Sequence, residues 1–453
     1  MSTCAAALHN ARKRTPLIHI TYSYRFRSLK YLSYFLNLIH SKYCTHIQSF
    51  FWIEFLLSRK MTSTVQEEYP PKPINDSTIT TTTTHEQVSY YYGQVLSTSS
   101  DLKTNACCTS SKLPRHIQKA ISNIHPTVIS KYYGCGLTIP TDDLTGLKIL
   151  DLGCGAGRDV YILSQLVGPT GQVHGVDMTH EQLAIAYEYQ SYHQTIFQHP
   201  ISNVSFHLCK LEELHLLLQQ EDQDQKNFHS FDIIVSNCVV NLCTDKPRVF
   251  QSCYELLKVG GEMYFADVYA SRRIPPSLQS HPILYGECLS GAMYWNDFLT
   301  MVKSIGFKDP RLVDDSLITI ENDELQQVLD SSSQGKIEFY SATYRLFKLL
   351  PESLEPYCED YGQAVIYKGT IGPGYESVWS LDGHHTMETG KVFSVCGNTF
   401  HMLYDTRLRK YFDFIGDFTK HYGIFEGCGT SIPFASAKQQ QGSGGTCGGG
   451  SCC

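Results

Sequence analysis

The chain has 453 residues, a net charge of −7 and an apolar fraction of 42%, enough for two or three domains of an ordinary globular protein. The acidic balance gives no electrostatic footprint for nucleic acid. The longest aliphatic-aromatic run near the N-terminus, residues 50–57, is too short to cross a bilayer, so neither a nucleic acid nor a membrane is expected as partner.

Residues 1–60 are basic and rich in Ser, Tyr and Phe, with Glu54 as the single acid. Such a start resembles an organelle transit peptide; the alternative, favoured here, is an extended start upstream of a natural Met61. Pro70, Pro71, Pro73 and the run Thr80–Thr84 read as a disordered linker, so residues 1–86 are taken as leader. Alternation then begins. Strands are predicted at 148–152, 172–176, 203–208, 231–235 and 262–268. Helices are predicted at about 159–167, after Thr179, and at 245–258, where Gly260 and Gly261 end the last. Thr179 and Gln182 have capping-box spacing. Alternating strands and helices mean a parallel sheet with covered faces, here spanning 87–270. Residues 271–350 read as more helical, with 295–305 the clearest amphipathic stretch. A mixed segment at 351–430, with a strand at 364–367, precedes a flexible Gly/Cys tail at 431–453.

The stretch Lys148-Ile-Leu-Asp-Leu-Gly-Cys-Gly-Ala-Gly-Arg-Asp159 is a strand feeding a tight turn. Small residues at Gly153, Cys154, Gly155 and Gly157 let backbone pass close to a ligand. Asp177 closes the next strand about twenty residues later, where a carboxylate can accept both hydroxyls of a ribose. Asp151 ends the first strand, where it can face a charged portion of the ligand. The six-residue Gly-x-Gly-x-x-Gly spacing of dinucleotide binders is absent. Ile149–Gly157 resembles motif I of class I S-adenosylmethionine-dependent methyltransferases. The resemblance implies an α/β Rossmann-like fold with a parallel-dominated sheet, plus an acceptor-binding segment and a C-terminal α+β segment. It implies that Asp177 and Met178 hold the ribose and adenine, that Leu211 and Glu212 flank the adenine, and that Asn237 lies beneath the methionine portion. The expected cofactor-binding set is Asp151, Gly153, Gly155, Gly157, Arg158, Asp177, Met178, Leu211, Glu212 and Asn237.

The chain carries 17 cysteines. Without a clear signal peptide they read as reduced thiols in a cytoplasmic protein. Cys209 and Cys253 read as small core residues, Cys154 as the occupant of a small-residue slot in the glycine turn, and Cys243 as structural. Four others stand apart. Cys238 sits at the carboxyl end of the fourth strand, where open parallel sheets bind ligands. Cys288 follows the fifth strand in a glycine-punctuated stretch, and Cys107 and Cys135 precede the first. None forms a Cys-x-x-Cys pair, so a zinc ribbon fits poorly. Separated cysteines converging on one mouth suit a soft, three-coordinate ion. Their contexts, Asp101-Leu with Asn105-Ala-Cys107, Tyr132-Tyr-Gly-Cys-Gly136, Ser236-Asn-Cys-Val-Val-Asn241 and Gly286-Glu-Cys-Leu-Ser-Gly-Ala-Met-Tyr-Trp295, closely resemble arsenite methyltransferases. The match runs from about residue 87 to 348 and more weakly to 428. The family implies that Cys238 and Cys288 bind As(III) with Cys135 as third thiolate, and that Cys107 and Cys135 take part in disulfide chemistry. The doublet Cys107-Cys108 departs from the single cysteine usual there, and Cys107 is backed from its spacing to Asn105.

The implied reaction is methyl transfer from S-adenosylmethionine to arsenite or its glutathione adduct, giving mono- and dimethylated arsenicals. The nucleophile is a lone pair, so no general base is required. Cys107 with Cys135 or Cys238 then supplies two electrons by closing to a disulfide, which thioredoxin or glutathione reopens. A monomer is expected. Two rivals stand beside this reading. One is a methyltransferase acting on a quinone, sterol or thiol; the other is a thiol-rich arsenic-sequestering protein. A glycine-tethered tail with Cys447, Cys452 and Cys453 offers arsenic capture or electron relay, against the alternative of a dispensable tail.

Overall fold

The computed structural model describes residues 84–95, 114–134, 138–216, 231–279, 284–285, 288–320, 327, 329 and 336–428. The expectations placed on the leader before Thr84, on Cys107, Cys108 and Cys135, and on the C-terminal tail lie outside these residues. The described residues all belong to one compact unit.

Three short helices lead in: α1 (Thr84–Tyr90, continued by one π-turn, Tyr91–Val95), α2 (Arg115–Ser122) and α3 (Pro126–Ser130). The alternating pattern then gives β1 (Lys148–Leu152), α4 (Arg158–Val167), β2 (Gln172–Asp177), α5 (His180–Glu188), α6 (Gln190–Ile196), β3 (Val204–Leu208), β4 (Phe231–Asn237), α7 (Lys246–Leu256) and β5 (Leu257–Ala270). β1 lies between β2 and β4 in parallel register. Helices on both faces cover it, so its apolar run is continuous rather than alternating.

Beyond β5 come β6 (Met293–Tyr294), α8 (Trp295–Ile305), β7 (Arg311–Ile318) and β8 (Phe339–Phe347). The sheet order is 3-2-1-4-5-8-7, with β6 beside the far end of β5. Among the described strands of this sheet, only β8 runs against the rest, antiparallel to both β5 and β7. The sheet is therefore parallel-dominated, as expected. The segment 271–350 is less helical than its pattern suggests: it supplies the outer strands. β7 is an edge strand whose central residues are solvent-exposed, so it lacks the apolar alternation that would mark it.

A second correction concerns Gly260 and Gly261. α7 stops at Leu256, and β5 starts at once and runs through both glycines. The β4–β5 register shifts there, with Phe231 beside Leu257 but Ile233 beside Glu262. Gly260 has φ +83°, and a Cβ on Gly261 would lie 2.9 Å from the Asp232 carbonyl. The glycines make a bulge within the strand rather than end a helix.

The C-terminal layer holds β9 (Glu359–Asp360), β10 (Ala364–Tyr367), β11 (Val378–Ser380), β12 (Thr386–Glu388), β13 (Val392–Ser394), α9 (Gly397–Tyr404), β14 (Phe412–Ile415) and β15 (Gly423–Ile424). β10 is central between β13 and β14. Its core contains Tyr367, Trp379 and Phe412, and Phe347 of β8 reaches into it. A buried charge network joins this layer to the main sheet. Arg345 of β8 donates to both oxygens of Glu262, at 2.7 and 2.8 Å. Arg407 grips Asp142 at 2.7 and 2.9 Å and also reaches Glu262.

Candidate active site

The strand order reverses between β1 and β4, the position where open α/β sheets leave a crevice at the strands' carboxyl ends. A cavity opens there. Asp151, Gly153, Gly155, Arg158, Asp177, Met178, Leu211, Glu212, Asn237 and Cys238 all line it. Gly157 does not. It turns the chain into α4 at φ +86°, and an added Cβ would press on Phe206 and Tyr161 at 3.1–3.2 Å. Gly153 has φ +68° and no room beside Val239, whose methyl would lie 2.4 Å from a Cβ.

Asp177 holds the turn as well as facing the cavity. Its two oxygens accept from the Gly155 N–H at 2.8 Å and the Thr179 N–H at 2.7 Å. The expected capping box does not form, because Asp177 takes the N–H at Thr179 and Gln182 donates instead to the Tyr92 carbonyl at 2.9 Å. The Gln182 Oε1 is buried without a hydrogen-bond partner among the described residues. Such an atom wants a donor from a ligand.

Three carboxyls crowd one wall. Burial pushes Asp151 well above the ordinary carboxylate range, and the charges of Asp159 and Asp177 add to it against Arg158. Burial raises Asp159 against the opposing pull of Arg158 and a hydrogen bond from Asn237. Burial raises Asp177 too, moderated by the N–H groups of Thr179 and Gly155. A desolvated acidic wall favours a cationic ligand. The guanidinium that lines the cavity is occupied: Arg158 lies 3.5 Å from the Tyr132 ring centroid and 3.2 Å from Asp159.

Several lining groups were not predicted. His85 and Tyr92 of the α1 segment cover the cavity. His85 is anchored by Glu212 at 2.9 Å, and Glu212 also accepts from the Thr244 N–H and hydroxyl at 2.8 and 3.1 Å. Burial raises the Glu212 carboxyl, but hydrogen bonds from its own N–H, His85 and Thr244 outweigh it and leave it below its ordinary value. Tyr92 meets Tyr133 edge-on at 5.6 Å, and Asn237 donates to the Tyr132 hydroxyl. The tyrosine clusters flanking the unassigned cysteine segment thus converge over the cavity. Their repetition in the sequence was the available signal.

Cys238 and Cys288 lie together. The Cys288 thiol donates to the Cys238 carbonyl at 3.2 Å. Both have left-handed backbones, φ +55° and +62°, which non-glycine residues rarely adopt. Strain of this kind costs on the order of 1–3 kcal/mol and persists only where surrounding structure fixes it. That structure is visible. Tyr285 donates to the Leu242 carbonyl at 2.9 Å, and Asn241 is clasped by Asp267 through its N–H and its amide at 3.0 and 2.7 Å. Burial lifts Asp267 to about 7 against the N–H groups of Val268 and Asn241. Lys246 donates to the Cys243 carbonyl at 2.9 Å, and burial lowers its pKa against the opposing charge of Asp267. Cys238 is disulfide-bonded, whereas Cys288 is a reduced thiol. Cys154, Cys243 and Cys253 are buried with thiol pKa values raised chiefly by burial, as core residues should be. Cys209 differs from expectation in being only half-buried, and it lines the cavity, as the buried Cys154 and Cys243 also do.

Residues 143–306 match a methyltransferase-domain family, and residues 355–421 match a domain of unknown function. An arsenite methyltransferase of Aquipseudomonas alcaligenes is 53% identical over 350 residues, covering 77% of this chain and 96% of that protein. The Homo sapiens arsenite methyltransferase is 42% identical over 328 residues, covering 72% and 82%. The crystal structure of an arsenic(III) S-adenosylmethionine methyltransferase from Chlamydomonas reinhardtii superposes with a TM-score of 0.63 at 41% identity, covering 70% of this chain and all of that one. No helix among the described residues is long and apolar enough to cross a membrane. With its sheet order, its glycine turn and its acidic cavity, the chain belongs to the S-adenosylmethionine-dependent arsenite methyltransferases.

Proposed function

We propose that the protein methylates trivalent arsenic, taken up as arsenite or its glutathione adduct and held on Cys135, Cys238 and Cys288, to give mono- and dimethylated arsenicals in detoxification. The observation that carries this reading is the contact of Cys288 with Cys238, which lines the cavity, both on strained left-handed backbone. Strain held at two cysteines beside a ligand cavity is the mark of a positioned functional pair.

S-adenosylmethionine, when bound, supplies a methyl group on a positively charged sulfur. The chain's own part is to hold that ligand and aim the acceptor. Asp151, Asp159 and Asp177 meet positive charge, and Gln182 offers its unpartnered oxygen. The cysteines fix arsenic so that its lone pair faces the cavity, which converts an encounter into an oriented reaction. Forming the As–C bond from that lone pair breaks the methyl–sulfur bond, whose electron pair stays on sulfur as a neutral thioether, and takes As(III) formally to As(V). Cys107 with Cys135 or Cys238 returns it by closing to a disulfide, with release of two electrons and two protons. Thioredoxin or glutathione then reopens the pair. The disulfide engagement of Cys238 supports its place in that cycle, and reduced thiols suit a cytoplasmic setting.

The test is methyl transfer from labelled S-adenosylmethionine to arsenite with glutathione and thioredoxin present. Methylated arsenic is the expected product. Cofactor binding to folded protein without any methylated arsenic overturns the acceptor assignment. The acidic wall gives a further expectation. A cation binds the charged forms of carboxyls whose pKa values are raised, so S-adenosylmethionine affinity falls as pH is lowered and binding releases protons. Calorimetry in buffers of different ionisation heat reads this directly. A pH-independent affinity with no proton release contradicts it.

A further inference from the structure

The C-terminal layer contains a cysteine cluster that the catalytic reading does not use. Cys358 precedes β9, Cys396 is the N-cap of α9, and Cys428 follows β15. Their sulfurs lie within 4.8 Å of one another. All three are reduced thiols with 4%, 0% and 5% exposure. None lines the catalytic cavity. The fold brings them together deliberately: β9 and β15 pair, and the Phe425 N–H donates to the Cys358 carbonyl at 2.8 Å. Cys396 is further fixed by Thr399, whose N–H and hydroxyl lie 3.5 and 3.3 Å from its sulfur.

We propose that Cys358, Cys396 and Cys428 form a second arsenic site, separate from the catalytic one, that takes As(III) as a three-coordinate tri-thiolate complex. Three soft ligands in a buried cluster select a thiophilic ion. Among the described residues no fourth Cys, His, Asp or Glu atom joins the group, whereas structural zinc sites are almost always four-coordinate. Charge points the same way. Zinc on three thiolates would bury a net negative charge, and Arg311, the guanidinium on that side, already serves Asp309 at 2.7 Å and Asp382 at 3.4 Å. Arsenic on three thiolates is neutral and carries no such desolvation cost. The exchange balances without redox change. Three As–O bonds of arsenous acid break and three As–S bonds form, and each thiol proton leaves on a hydroxide as water.

This inference concerns binding alone and does not rest on the proposed catalytic ligands. Full-length protein with Cys238→Ser and Cys288→Ser is reduced, titrated with arsenite, desalted and analysed for bound arsenic, with sulfur coordination read by X-ray absorption. Adding Cys396→Ser, or separately Cys428→Ser, removes one arsenic per chain, with near-ultraviolet circular dichroism reporting the fold. Unchanged stoichiometry in folded variants overturns the proposal. So does one zinc per chain that co-purifies and resists arsenite. If the serine variants do not fold, arsenite-soaked crystals of the unaltered protein decide it. An anomalous arsenic peak among the three sulfurs is expected, and its absence overturns the site.

Discussion

Cys288→Ser lowers arsenite methylation by on the order of 10²-fold or more, with S-adenosylmethionine affinity changed by no more than about twofold. The split follows from placement. Cys288 is outside the cavity lining and bonds to the Cys238 carbonyl, so its loss spares the acidic wall. Serine keeps the backbone and the hydrogen bond but replaces a soft sulfur with a hard oxygen, a poor donor to arsenic. Initial rates with labelled cofactor and calorimetry of cofactor binding separate the two effects. A variant that keeps most of its arsenite turnover removes Cys288 from the ligand set and returns the quinone, sterol and thiol acceptors to contention. A variant that loses cofactor affinity in proportion places the residue in the fold of the cavity instead.

Glu262→Gln destabilises the protein by about 3–5 kcal/mol. Glu262 is wholly buried on β5 and faces two guanidiniums, Arg345 and Arg407. Burial alone would raise its carboxyl, but the two arginines more than cancel this and hold it at about 2. A neutral amide leaves their charge without its central anion. The pH dependence has a definite sign. A carboxyl held below its unfolded value stabilises the fold above that unfolded value, and the contribution disappears as pH falls from about 5 towards 2. Urea unfolding at a series of pH values should therefore show the unaltered protein losing stability across that interval and Glu262→Gln losing less. Parallel curves for both proteins would show that the network is not the titrating element.

The cofactor half of the molecule was legible because its signals are local. An apolar run ending in Asp151 and a glycine turn sit within one short stretch, and Asp177 follows at strand spacing. The α1 cover was not, since His85 and Tyr92 reach the cavity only through long-range contacts with Glu212 and Gln182. Thr179 takes the N-cap position of its helix as expected, but the reciprocal half of the box was not legible: Asp177, two residues earlier, accepts from the Thr179 N–H in place of Gln182. The glycine pair at 260–261 reads equally as a helix stop and as a strand bulge, and the backbone of β4 decides between them. The C-terminal cysteines carry no pair spacing at all. Cys358, Cys396 and Cys428 are tens of residues apart and meet only because β9 and β15 pair beneath α9.

The single reversed strand also sets an order of events. β5 can pair with β4 as soon as it is made, but its other edge is closed by β8, which is made only after α8 and β7. On a growing chain, the long inner strand therefore presents open peptide groups while the cofactor crevice is already assembled. Such an edge invites pairing with another chain, and non-local closure of this kind is slow. The vulnerable species in biosynthesis is the nascent protein that ends before residue 339, and its hazard is intermolecular strand addition rather than loss of the crevice.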